Sequence, residues 1–307
     1  MNAPTFDGLI AAVHTPFAET GELDLAVVEA QAEDLARNGV KAAFIAGTTG
    51  EGHSLTLDER RRLATRWSEV TQQSALEFIV HAGHNCLRDA RELAAHAEQI
   101  GARAVSAVAP SYFKPASAAD LIGCCAEIAG GCPGLPFYYY DIPSWTGIAV
   151  PVAEVLEDIG NRVPNCAGVK FTSQDLGAFQ AARQAADGSF EILWGCDEAL
   201  LAGLSLGAQA AVGSTYNFAA VLAHRVMAAA SGGDLDQARA AQWRIQLLVQ
   251  TLVPYGYLGA AKAVMAMQDI PVGGPRLPCA PLAAKGQQAL RADLERIGYF
   301  DWPGEAD

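Results

Sequence analysis

Eight times between Leu9 and Gly213 a short apolar run is followed by a stretch with helical periodicity, and this repetition constrains the fold more than any other feature. The runs are Leu9–His14, Ala42–Ala46, Phe78–Ala82, Ala104–Ala109, Phe137–Asp141, Ala167–Phe171, Glu191–Trp194 and Ala210–Gly213. They are continuously apolar rather than alternating, the pattern of parallel strands covered on both faces. Parallel neighbours need crossovers, and amphipathic stretches supply them at Asp24–Asn38, Arg88–Ile100, Ser117–Ala129, Val152–Ile159, Leu176–Ala186 and Glu198–Leu206. Thr56 with Glu59 three residues on has the spacing of a capping box and predicts another helix start. Eight such units predict a closed α/β architecture, the (β/α)8 or TIM barrel. A doubly wound open sheet is the alternative. It would carry a glycine-rich phosphate turn after the first strand, where this chain has His14-Thr15-Pro16-Phe17.

From about Phe218 the strands stop, and Val221–Ala230, Asp234–Thr251, Tyr257–Met267 and Gln287–Ile297 read as helices. The expected division is a barrel over residues 1–217 and a helical extension over 218–307, packed on it or on a neighbouring subunit. Half the chain is hydrophobic and 18% is charged, enough apolar residue for a sizeable core. The net charge of −13 argues against nucleic acid or an anionic membrane as partner, and an anionic substrate would need local compensation. No apolar run approaches the ~18–20 residues of a membrane span. Met1–Thr5 shows neither a basic start nor an apolar segment. The seven cysteines include no C-x-x-C pair, so neither a disulfide framework nor a zinc site is expected. These features suggest a cytoplasmic protein with reduced, mostly buried thiols. His81 and His84 lie close together without a convincing third ligand, and satisfied loop histidines are the expectation.

In such a barrel, chemistry sits at the carboxyl ends of the strands. The sixth run, Cys166-Ala167-Gly168-Val169-Lys170-Phe171, ends on one lysine. A lysine buried in a low dielectric is driven toward its neutral amine, which forms Schiff bases with ketones and aldehydes. The ordinary alternative is a strand-end lysine whose head reaches water. Other polar residues fall on the same rim: Thr48 and Thr49, Tyr112, Tyr140, Thr172, then Gly195, Asp197 and Glu198, and Ser214. Each also has a structural reading. The threonines could cap a helix, Tyr140 could be core within Phe137-Tyr138-Tyr139-Tyr140, and Asp197 could be a helix N-cap.

Three segments in order, Gly47-Thr48-Thr49-Gly50-Glu51, Tyr140-Asp141-Ile142-Pro143 and Gly168-Val169-Lys170, are similar to motifs of the pyruvate-dependent class I aldolases, the dihydrodipicolinate synthase/N-acetylneuraminate lyase family. The resemblance covers about residues 6–300. It implies a Schiff-base lysine at Lys170 and a proton-transferring tyrosine at Tyr140, with neither cofactor nor metal. It further implies substrate contacts from Thr48, Thr49, Thr172, Gly195, Asp197, Glu198 and Ser214. Tyr112 would support the proton relay across a subunit boundary in a homotetramer. Within the family, Pro143-Ser144-Trp145-Thr146-Gly147 has Trp145 where the synthase carries a carboxylate-binding arginine. Gly213-Ser214-Thr215-Tyr216-Asn217, Gly195-Cys196-Asp197-Glu198 and Gly274-Pro275-Arg276-Leu277-Pro278 resemble segments of the lyase branch. The resemblance therefore implies reversible cleavage of a sialic acid, N-acetylneuraminate, to N-acetylmannosamine and pyruvate. Another pyruvate-dependent aldolase of the family is the alternative. Asp141 departs from the Asn or His common in relatives and stands beside the tyrosine.

Overall fold

The structure, a computed structural model, describes residues 6–302. The expectations for Met1–Thr5, and the outer ends of the two-part division, lie outside those residues. Eight parallel strands close on themselves in sequence order, β1-β2-β3-β4-β5-β6-β7-β8, which excludes the open sheet. They are β1 (Gly8–Ala12), β2 (Ala42–Ile45), β3 (Glu77–His81), β4 (Ala104–Ala107), β5 (Phe137–Asp141), β6 (Cys166–Phe171), β7 (Glu191–Trp194) and β8 (Ala210–Gly213). The expected strands are all present, within one or two residues at most ends. The first and fourth end earlier than expected, at Ala12 and Ala107, with the Val13 N–H still bonded to the Phe44 carbonyl of β2.

Strand alternation divides the apolar residues into two cores. Ile10, Ala12, Ala42, Phe44, Ile79, Ala104, Tyr138, Tyr140, Leu193 and Val212 fill the lumen. Leu9, Ala11, Val80, Val105, Tyr139, Val169, Phe171 and Trp194 point outward against the helices. This is why the runs read as continuously apolar: both faces of every strand are covered.

The helices are α1 (Val27–Arg37), α2 (Leu57–Thr71), α3 (Leu87–Gln99), α4 (Ala118–Ala129), the short α5 (Pro143–Thr146), α6 (Val152–Ile159), α7 (Leu176–Gly188), α8 (Leu200–Ser205), α9 (Ala220–Gly232), α10 (Leu235–Leu252), α11 (Tyr257–Met267) and α12 (Ala284–Arg296). The capping box is formed: Thr56 Oγ1 accepts from the Glu59 N–H at 3.2 Å, and Glu59 Oε2 from the Thr56 N–H at 2.8 Å. Helix α5 is not anticipated by the sequence reading. Its four residues show no periodicity, and Pro143 supplies a helix N1 position. The expected helix Glu198–Leu206 is divided into a 3-10 turn, Asp197–Ala199, followed by α8. Beyond β8, α9 packs on β1, and α10 lies against α9. Gln242 of α10 bonds the Leu201 N–H and the Asp197 carbonyl. The chain then returns across the mouth, where the Phe17 N–H bonds the Val272 carbonyl. The extension therefore reaches the rim on which the polar residues were expected.

Candidate active site

Lys170 and Tyr140 occupy paired register positions on β6 and β5. Both point into the lumen and are almost sealed from solvent, at 4% and 3% exposure. The Lys170 Nζ stands 3.5 Å from the centre of the Tyr140 ring and 4.7 Å from that of Phe44. Tyr140 is held edge-on by Phe44 and His81, each with ring centres 5.8 Å away. An amine so placed gives up most of its water and receives a π face in exchange. The water-reaching reading of this lysine is therefore not what the fold provides.

The Thr48 hydroxyl lies 3.3 Å from the Tyr140 hydroxyl, which brings the loop after β2 to the same point. That loop turns back on itself: the Glu51 N–H bonds the Thr48 carbonyl and the Gly52 N–H the Gly47 carbonyl. Its glycines are obligatory, since a Cβ on Gly52 would fall 1.9 Å from the Ala46 oxygen. Neither Thr48 nor Thr49 is a helix cap, because Glu51 precedes the 3-10 turn Gly52–Ser54 and Thr56 caps α2. Thr49 is half-buried and Thr48 exposed.

Thr172 and Gly195 meet across the ends of β6 and β7. The Gly195 N–H bonds the Phe171 carbonyl at 2.7 Å, and a Cβ on Gly195 would strike the Thr172 hydroxyl. That hydroxyl is buried without a protein partner. Asp197 is not an N-cap. Its carboxylate reaches across to the loop after β8 and accepts the Thr215 N–H at 2.7 Å. Burial, then the adjacent Asp197 carboxylate, push Glu198 up to about 7. The Ser214 hydroxyl lies 2.6 Å from the hydroxyl of Tyr257, the first residue of α11. Thr48, Tyr140 and Lys170 thus share one wall of the mouth, and Asp197, Glu198 and Ser214 another. Tyr112 does not join them. It is 79% exposed, with Phe113 and Trp145 beside it in exposure, and its ring touches Phe113.

Four contributors escaped the sequence reading: Phe44, His81, Tyr257 and Lys262. Parity along the second and third strands would have placed Phe44 and His81 in the lumen with Tyr140. Lys262 is the one charged residue of α11 and is buried there, a signal legible in Tyr257–Met267 itself. His81 closes β3, within the expected strand Phe78–Ala82 and not in a loop as the histidine pair alone suggested. Its Nδ1 lies 3.0 Å from the Ala46 carbonyl and its Nε2 accepts the Val108 N–H at 3.3 Å, so the ring is satisfied and neutral. Burial, reinforced by Arg60, holds it well below the usual histidine range. Among the described residues no three His, Cys, Asp or Glu side chains gather as a metal site. All seven cysteines are free thiols, four buried, one half-buried, and Cys86 and Cys279 exposed.

Asp141 faces away from Tyr140, into the barrel wall, and burial pushes its carboxyl up from 3.8 to about 7. A raised acid binds its proton more tightly folded than unfolded. Its contribution to stability is whole below pH 4 and is lost as pH rises through 7. Asp141→Asn is accordingly expected to stabilise the fold at pH 8, by on the order of a few kcal/mol, and to change little at pH 4. Urea midpoints at the two pH values check this, and equal shifts at both would refute it.

A closed parallel barrel with a buried amine and a phenol on adjoining strand ends, and carboxylates across the mouth, is the architecture of a (β/α)8-barrel enzyme. The chain belongs to the dihydrodipicolinate synthetase family, whose model matches residues 5–297. It is 37% identical to N-acetylneuraminate lyase of Rattus norvegicus, over 98% of this chain and 95% of the rat protein. It is 36% identical to the Homo sapiens N-acetylneuraminate lyase, over 96% and 93%. Among solved structures, N-acetylneuraminate lyase of Proteus mirabilis superposes with a TM-score of 0.92 at 36% identity, covering 96% of this chain and 99% of that one. The Aliivibrio salmonicida sialic acid aldolase superposes with 0.93 at 37% identity, covering 96% and 97%.

Proposed function

We propose that this protein is a Schiff-base aldolase that cleaves N-acetylneuraminate reversibly to N-acetylmannosamine and pyruvate. The observation that carries the proposal is the Lys170 amine 3.5 Å from the Tyr140 ring, in a chain whose relatives are N-acetylneuraminate lyases. Lys170 attacks the C2 ketone of the substrate, water leaves, and an iminium forms. Tyr140 takes the proton of the C4 hydroxyl, a transfer favoured by the positive iminium beside it. The C3–C4 bond breaks, its electron pair enters the iminium to give an enamine, and the aldehyde departs. Protonation at C3 and hydrolysis then release pyruvate and restore the amine.

Thr48 and Thr49 hold the substrate carboxylate with hydroxyls and backbone N–H groups, the local compensation that a chain of net charge −13 requires. Asp197, Glu198 and Ser214 receive the polyol tail, and Thr172 and Gly195 line the path between. Tyr112 completes the proton relay from a neighbouring subunit of a homotetramer, a role consistent with its outward-facing ring. The substrate is a small molecule and the reaction uses no cofactor or metal. No helix among the described residues is long and apolar enough to cross a membrane, and the protein is proposed to work in the cytoplasm. The division into a barrel, 1–217, and an extension, 218–307, belongs to the same reading.

Trp145 stands where the synthase branch would need a carboxylate-binding cation. A coupled assay is expected to detect pyruvate release from N-acetylneuraminate. Condensation of pyruvate with aspartate semialdehyde is expected to be at least about a hundredfold less efficient, the cost of an unpaired polar group in a specificity site. Efficient semialdehyde condensation without sialic acid cleavage would transfer the chain to the synthase activity.

A further inference from the structure

The loop that carries Thr48 and Thr49 is fastened from outside the barrel. Glu51, at its end, adopts the left-handed conformation with φ 53°, which costs a non-glycine residue on the order of 1 kcal/mol. In that conformation its buried carboxylate meets Lys262 of α11, with Nζ–Oε1 at 2.7 Å. The Lys262 ammonium also donates to the Thr15 carbonyl at 2.9 Å and the Gly274 carbonyl at 3.3 Å. Thr15 in turn donates its hydroxyl to the Gly50 carbonyl at 2.5 Å. Oε2 of Glu51 accepts the Arg276 N–H at 2.8 Å, and the Arg276 guanidinium pairs with Glu59 and donates to the Gly21 and Ser54 carbonyls. Phe17 lies between the two cations, 4.4 Å from Lys262 Nζ and 4.3 Å from the Arg276 guanidinium carbon.

Three of these contacts fall directly on the Thr48–Glu51 turn: Lys262 and the Arg276 N–H on Glu51, and the Thr15 hydroxyl on Gly50. Because the Glu51 N–H bonds the Thr48 carbonyl, displacing Glu51 displaces the threonines. A buried ion pair adds little net stability against an apolar alternative, and its best-attested use is to fix one arrangement among several. From this geometry we propose that Lys262 is a positioning residue for the reaction: paired with Glu51, it sets the carboxylate-binding turn and thereby the affinity for the 2-oxo acid. The proposal rests on the aldolase reading of the site.

The test separates carboxylate binding from iminium formation. Lys262→Met is expected to raise the KM for pyruvate in condensation roughly ten- to a hundredfold, the scale set by displacements of about 1 Å, with kcat changed much less. Borohydride trapping at Lys170 with acetone, a ketone without a carboxylate, should stay within about threefold of the unaltered protein. Lys262→Arg should return most of the lost pyruvate affinity. If Lys262→Met does not fold, the double variant Lys262→Met with Glu51→Gln removes the unpaired buried charge and is measured in its place. Equal losses with pyruvate and acetone, or an unchanged pyruvate KM in a folded variant, overturn the positioning role alone. Absence of any pyruvate adduct in the unaltered protein overturns the aldolase reading and the positioning role with it.

Discussion

Lys170→Ala is expected to lose pyruvate release by a factor on the order of 10⁴–10⁶ in kcat, the scale seen when a covalent nucleophile is removed. Without the iminium, the electron pair of the breaking bond has nowhere to go. The chain has four other lysines, Lys41, Lys114, Lys262 and Lys285, and none of them lies on a barrel strand. Lys262 is engaged by Glu51 and two carbonyls. Removing the Lys170 amine takes away a buried polar group packed on the Tyr140 and Phe44 rings, so folding is expected to survive and circular dichroism should be unaltered. The measurement is a coupled pyruvate assay together with intact mass after borohydride in the presence of pyruvate. The unaltered protein should gain one pyruvyl mass at Lys170 and the variant none. An adduct on another lysine, or turnover in the variant within a hundredfold of the parent, would remove Lys170 from the chemistry.

Tyr140→Phe is expected to separate the two halves of the reaction. The ring that packs against Phe44, His81 and the Lys170 amine is kept, and only the hydroxyl near Thr48 is lost. Trapping of pyruvate at position 170 should therefore persist. Turnover of N-acetylneuraminate should fall about 10²- to 10⁴-fold, the range for loss of a general acid–base group. A KM left near its parent value would assign the loss to the chemical steps. An unchanged kcat would exclude Tyr140 as the proton carrier.

How much of this was legible in the sequence follows from what each signal measures. The strands were readable because a closed barrel covers both faces of each, leaving short apolar runs with sharp ends such as Ile142-Pro143. The helix start at Thr56 was readable because a capping box is a local device. Lys170 and Tyr140 stood out as polar residues at the ends of apolar strands. What could not be read were contacts between elements far apart in the chain. The Asp197 carboxylate spends itself on Thr215, eighteen positions on, instead of its own turn. Tyr257 and Lys262 lie in a segment whose apolar periodicity says helix but is silent on what that helix leans against. Asp141 was recognised as unusual beside Tyr140, yet alternation turns it to the opposite side of the strand.

The pairing of β5 with β6 carries a last consequence. Phe137 partners Cys166, but Tyr138 partners Gly168, so Ala167 is skipped in the ladder. Cys166 packs in the outer core, Ala167 in the lumen, and Val169 outside again. Counted by strict alternation from Cys166, position 170 would point at the helices and its amine would be walled into hydrocarbon. One supernumerary residue reverses the count and delivers the nitrogen to the cavity. Grafting this strand onto another barrel would thus demand the irregularity as well as the lysine, for a tidier ladder would carry the same letters and present the wrong side.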